Sequence, residues 1–306
     1  SYLTEAAVRV MLEANVLPPG ALQLIVGSTG DLFDHLTSQD VVSFTGSAQT
    51  GSLIHRKFAG RPDVLLALEL GGNNPLIVWP PVDANAAANL IVHSAFATSG
   101  QRCSCARRLI VPEGADGDAI IAALVALAQE IGVGPATQTP EPFMGPLVNA
   151  VAAERAVKFE AGLSVMGGKV LLAVKRDGAV VRPGIVDVTG LTPPDEELFG
   201  PVLQVYRAKD FDHALDLANA TRFGLAGGLI SDDAALWVRV KNEMHVGVLN
   251  WNRPTTGASS ALPFGGPGLS GSLRPSAYYA ADYVAYPVST QAAEKAASIA
   301  APGLPT

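Results

Sequence analysis

The chain has 306 residues, 48% hydrophobic and 16% charged, which excludes a disordered polymer and is long enough for two domains or one large α/β unit. Its 21 Lys and Arg against 28 Asp and Glu leave a net charge of −7, so no basic excess exists to neutralise the phosphates of a nucleic acid. No run of about 20 apolar residues is present to span a bilayer, and two cysteines make no disulfide framework, which favours a reducing, cytoplasmic setting.

The chain opens on an amphipathic helix, with Leu3, Ala6, Ala7, Val10, Met11 and Ala14 at helical spacing and Pro18, Pro19 and Gly20 as its stop. In an α/β fold such a helix crosses over from an earlier parallel strand, and none precedes it, so the reading is of a fragment of a longer protein. Short apolar runs follow as expected strands: ALQLIVG, DVVSFTG and VLLALELGG. Between the last two, FTGSAQTG places a glycine turn before the helical run LIHRKF, with Ser47 as a cap. A helix start of that kind either binds phosphate through its free N–H groups or is an ordinary βα turn. The third run ends in a carboxylate, Glu69, followed by Gly71 and Gly72. A strand-end glutamate either points to solvent, pairs with an arginine, or is buried and tuned toward a general base.

Further along, helices are expected over Asn85 to Phe96, Asp118 to Ile131 and Ala150 to Met166, with strands at ARRLIVP, KVLLAV and PVLQVYR. FDHALDLANA, GGLIS, DDAALWVRVKNEM and VGVLNW continue the alternation, and the span from Asn252 to Ser272 reads as a long ordered loop. AADYVAYPVST alternates like a strand before a frayed tail. Both cysteines lie in SGQRCSCARR. One intervening residue is too few for an unstrained disulfide, two thiols are too few for a metal, and no metal site is expected. A buried inert thiol and a nucleophile remain, with Arg102, Arg107 and Arg108 as groups that would favour a thiolate if they faced it.

FTGSAQTG, LELGGNNP, SGQRC, EELFGPV, NATRFGLAGG, GVLNWN and PFGGPGLSG, in that order over nearly the whole chain, resemble the aldehyde dehydrogenase superfamily. QRCSCARR, NWNRPTTGASS and RPSAYYAADYVAYPV are similar to its branch acting on N-succinylglutamate 5-semialdehyde in arginine breakdown, whereas GALQLIVGSTGDLFDHL and QDVVSFTGSA are similar to domains of CoA-ester ring-cleavage pathways. The resemblance implies an α/β fold with a partial Rossmann-type cofactor domain over residues 1–70 and a second α/β catalytic domain over 71–272. An oligomerisation strand over 273–290 and a tail over 291–306 would follow. It implies Cys103 as nucleophile, with its backbone N–H on the oxyanion, and Glu69 as the base that activates water. Gly46, Ser47 and Gly51 would lie along the phosphates of NAD, with NADP open, and Glu197 and Phe199 at the nicotinamide ribose and ring. Arg102, Arg253 and Phe264 are the candidate substrate contacts, with Thr255, Ser259 and Ser260 beside Arg253. The family's oxyanion-hole asparagine and adenosine-ribose lysine would lie upstream of Ser1. The expected partner is a small aldehyde, with neither nucleic acid nor membrane, and the longer parent would be a homo-oligomer.

Overall fold

A computed structural model describes residues 2–305. Helix α1 (Tyr2–Glu13) forms as the apolar spacing predicts, yet it buries none of its residues. Strand β1 (Val41–Gly46), helix α2 (Ala48–Lys57) and strand β2 (Leu65–Leu70) then make a parallel βαβ unit, in which β1 pairs only with β2 among the described residues. Val42, Ile54, Phe58, Val64, Leu68 and Leu70 form its core, and Phe33 meets Phe58 edge-on at 5.5 Å.

The expected strand ALQLIVG is absent: residues 22–26 are irregular, and Leu24, Ile25 and Val26 are exposed. An apolar run becomes a strand only when a neighbour takes its backbone hydrogen bonds, and none among the described residues pairs with it.

The rest of the chain supplies strands β3 (Asn74–Val78), β4 (Ala106–Pro112), β5 (Lys169–Leu172), β6 (Lys175–Asp177), β7 (Val180–Arg182), β8 (Gly184–Asp187), β9 (Val202–Ala208), β10 (Ala226–Ile230) and β11 (Val248–Trp251). Helices α3 (Ala84–Phe96), α4 (Ala115–Glu130), α5 (Ala150–Val165), α6 (Phe211–Asn219) and α7 (Ala234–Glu243) alternate with them. Seven strands form one sheet in the order β11-β10-β3-β4-β9-β8-β5, parallel except for β5 at the edge. Both faces are covered, so the central strands are continuously apolar rather than alternating. Leu76, Val78, Leu109 and Val111 pack with residues of α3 and α4, while Ile77 and Ile110 pack with residues of α6 and α7. The successive side chains point to opposite faces, as a period of two requires.

The observed helices and strands match most of the expected ones, and ARRLIVP coincides with β4. β3, the fully buried strand NPLIV in the middle of the sheet, was not expected from the sequence; it follows directly on the Gly71–Gly72 turn, which masks its start. AADYVAYPVST is not a strand either. Only Pro263–Phe264 (β12) and Ser276–Ala277 (β13) pair antiparallel near there, and Val284, Tyr286 and Val288 are exposed. No helix among the described residues is long and apolar enough to cross a membrane.

Candidate active site

The segment leading to Cys103 owes its position to an uncommon backbone. Thr98, Ser99 and Gly100 have φ of 55°, 58° and 70°, three left-handed residues in a row after α3. Two of them lack glycine's freedom, so surrounding bonds must hold the turn. Ser99 Oγ donates to the Gly145 carbonyl at 2.6 Å, and the Val148 N–H donates to Gln101 Oε1 at 2.8 Å. Gly100 is glycine for a second reason: a side chain there would collide with the Gly200 carbonyl. Beneath the turn, Asn74 Nδ2 donates to the carbonyls of Cys103 (2.7 Å) and Cys105 (2.8 Å), and its Oδ1 accepts the Ala226 N–H at 3.0 Å. One amide at the start of β3 thus fixes both sides of the cysteine segment.

Cys103 is half-buried and Cys105 is fully buried. Burial, and after it the negative charge of Glu197, raises the Cys103 thiol above the ordinary thiol range, while the N–H groups of Ser104 and Cys103 itself pull the other way. The arginines do not act on Cys103; Arg107 and Arg102 draw the Cys105 thiol down, against the larger effect of its burial. Arg107 and Arg108 sit on a strand buried on both faces, so their guanidinium groups bond to orphan carbonyls. Arg108 donates to Asn73 O (2.8 Å) and to Leu217 O and Ala218 O at the end of α6 (2.7 and 2.9 Å). Arg102 is exposed and donates to Thr98 Oγ1 at 2.8 Å.

Glu69 is 8% exposed although it ends a strand. β1 lies along one edge of β2, and the loop after β12 closes the other. There the Leu70 N–H donates to Ser270 O (2.9 Å), the Leu68 N–H donates to Ser272 Oγ (2.9 Å), and Ser272 Oγ donates to Leu66 O (3.0 Å). Glu69 Oε1 accepts the Ser276 N–H at 3.2 Å, and Oε2 has no partner among the described residues. Burial pushes this carboxyl up to about 7, against the opposing bonds from Ser276. It is not paired with an arginine among the described residues.

A cavity of about 870 Å³ brings these groups together. Gly46, Ser47, Glu69, Arg102, Cys103, Glu197, Phe199 and Phe264 all line it, drawn from five distant stretches of chain. Ser47 caps α2, accepting the Thr50 N–H at 3.2 Å, and itself lines the cavity, so the start of α2 faces that wall. Glu197 packs over Gly71, where any side chain would collide with its carboxylate. Its pKa is raised by burial and drawn back by Arg107.

Two predicted residues lie elsewhere. Gly51 is inside α2 and outside the cavity wall; a Cβ there would run into Leu70, so its smallness serves helix–strand packing. Arg253 is exposed and does not line the cavity, nor do Thr255, Ser259 or Ser260; the same loop reaches the cavity through Thr256 and Ala258. Sequence reasoning missed Asn74, Arg155 and Ser276. Asn74 and Ser276 act through backbone contacts with residues 29 and 207 positions away, which no local pattern records.

A family model described as the aldehyde dehydrogenase family matches residues 1–287. The N-succinylglutamate 5-semialdehyde dehydrogenase 2 of Caulobacter vibrioides is 55% identical over 290 residues, covering 91% of this chain and 58% of that protein. Among solved structures, the glyceraldehyde-3-phosphate dehydrogenase GapN of Methanocaldococcus jannaschii complexed with NADP superposes with a TM-score of 0.82 at 29% identity, covering 92% of this chain and 61% of its own. A 1-pyrroline-5-carboxylate dehydrogenase from Thermus with bound NAD gives 0.80 at 32% identity, covering 91% and 56%. The chain thus spans about three fifths of the length of the curated relative it matches.

Proposed function

This chain belongs to the aldehyde dehydrogenase family, and from that premise we propose that it carries the cysteine chemistry that oxidises an aldehyde to a carboxylate. The observation that supports this best is that Cys103 and a buried, unpaired Glu69 face one cavity with the β1–α2 turn and the Glu197–Phe199 loop. The cavity fits a nicotinamide dinucleotide on two counts: the capped α2 N-terminus is a wall for phosphate, and Glu197 offers a carboxylate for ribose hydroxyls. Gly46, Ser47, Glu197 and Phe199 would hold it, and the relatives with bound NADP and NAD leave open which nicotinamide is used.

In this reading the Cys103 thiol releases its proton to solvent as its sulfur adds to the aldehyde carbon, and the Cys103 N–H steadies the oxygen that becomes negative. A nicotinamide held in this cavity would supply the hydride acceptor, and loss of the hydride from the adduct would leave a thioester on Cys103. Glu69 then takes a proton from the water that attacks the thioester, and the carboxylate product leaves with the thiol restored. A carboxyl poised at about 7 is suited to that proton transfer near neutral pH. Asn74 and the left-handed turn keep Cys103 in register with the cavity.

For substrate we assign N-succinyl-L-glutamate 5-semialdehyde, the aldehyde in the name of the Caulobacter vibrioides relative, which places the reaction in arginine degradation. Arg102 at the cavity wall is the cation for its carboxylates, and Phe264 is the apolar contact. The buried base favours water over CoA as the acceptor of the acyl group. Incubation with NAD and this semialdehyde without CoA is expected to yield NADH at 340 nm, and Cys103→Ser is expected to abolish it. Strict dependence on CoA, no NADH, or full activity in the serine variant would each overturn the reading.

A further inference from the structure

Arg107 is 2% exposed, on the face of β4 opposite Arg108, and its contacts fall on two separate motifs. Nη1 donates to Gly100 O at 2.7 Å and to Gly200 O at 3.3 Å; Nη2 donates to Arg102 O at 3.0 Å and lies 3.5 Å from Glu197 Oε1. The guanidinium also sits 5.7 Å from the centre of the Phe199 ring. Gly100 and Arg102 bracket the approach to Cys103, while Glu197, Phe199 and Gly200 form the loop across the cavity. A buried charge is costly unless its donors are met, and Arg107 meets those of Nη1 and Nη2, with Nε left without a partner among the described residues, by tying these two segments together.

We propose that Arg107 is a positioning residue that locks the Cys103 turn to the Glu197–Gly200 loop, so that the nucleophile and the cofactor-side carboxylate are set as one unit. The proposal rests on the reading of Cys103 as nucleophile and of the Glu197 loop as cofactor-side, and it adds the element that fixes their separation. A lysine in place of Arg107 keeps the charge but loses the planar fork, so it cannot reach both sets of carbonyls. The loop then loosens and Glu197 withdraws from the thiol.

Glu197 from the loop and Cys105 from its own segment bear on the Cys103 thiol, and Glu69 from β2, Arg102 from the same segment and Arg155 from α5 line the cavity with it. After burial, Glu197 does most to raise the thiol. The test is the pH profile of Cys103 alkylation by iodoacetamide, read at peptide level by mass spectrometry, which needs no turnover.

Arg107→Lys is expected to lower the midpoint by about half a pH unit or more, within the spread that local charges impose on thiols. Glu197→Gln is expected to lower it also, and the double variant is expected to match Glu197→Gln alone. Arg108→Lys, an equally buried carbonyl-binding arginine on the same strand, is expected to leave the midpoint in place. Circular dichroism confirms that each variant is folded before it is compared. An unchanged midpoint in Arg107→Lys, an equal shift in Arg108→Lys, or additive shifts in the double variant would each overturn the proposal. Failure of the nucleophile reading is separate: it shows as retained turnover in Cys103→Ser.

Discussion

Glu69 stands at a strand end, where a carboxylate ordinarily meets bulk water, and here it is buried at a cavity wall. Its pKa of about 7 lies above the ordinary carboxylate value because burial penalises the charged form. Below about 7 the group is protonated and cannot act as a base, so turnover is expected to rise with pH through that region. Glu69→Gln is expected to flatten this rise and to slow steady-state turnover by about 100-fold or more, while a first-turnover burst of NADH survives. Stopped-flow measurement of burst and steady state across pH checks both. The linkage to stability has the opposite sense. A folded pKa above the unfolded one contributes stability at acid pH that is lost as pH rises through about 7, so Glu69→Gln is expected to raise the melting temperature at pH 8 and to have less effect at pH 5.

At the scale of elements, the segment from Phe264 to Ser276 decides the site more than any helix does. It has almost no regular structure, yet it closes the open edge of β2. Ser270 is fully buried, accepts the Gly224 N–H at 2.9 Å and donates to Gly71 O at 2.8 Å. One hydroxyl thereby joins the loop after α6, the turn after Glu69 and its own loop. Ser270→Ala would strand two buried backbone groups, each costing about 1–3 kcal/mol. The expected result is a loss of about 2–4 kcal/mol in denaturant unfolding, with faster amide exchange at Gly224 and Leu70. Close approaches elsewhere in this region depend on glycine: a Cβ at Gly247 would strike the Gly265 carbonyl, and one at Gly266 would strike that of Gly224.

Across the whole molecule, two α/β cores meet at the cavity. The smaller holds β1, α2 and β2 around Phe58; the larger is the seven-stranded sheet with helices on both faces. Phe58→Ala is expected to cost the smaller core about 3–5 kcal/mol. Hydrogen exchange is expected to quicken in β1 and β2 while β3, β4 and β9 keep their protection; equal loss in both would mean one cooperative unit. The cavity faces belong to both cores, with Gly46 and Glu69 from the smaller and Cys103 and Glu197 from the larger.

The sequence by itself determined the α/β alternation, the helices and most strands of the sheet, because amphipathic spacing and apolar runs are local and repeat at fixed periods. Its ordered motifs also marked Cys103, Glu69 and Glu197 as residues to watch. It misjudged ALQLIVG and AADYVAYPVST, since an apolar run with strand propensity still needs a neighbour to hydrogen-bond, and propensity cannot supply one. Only the tertiary structure decided that Arg107 and Arg108 bond to backbone carbonyls, that Gly51 serves packing, and that Arg253 stays outside the cavity. For the arginines the outcome depends on carbonyls brought within reach across more than 90 residues of chain, as with Arg107 and Gly200 or Arg108 and Leu217. Contacts of that span leave no spacing in the sequence, because packing brings the partners together.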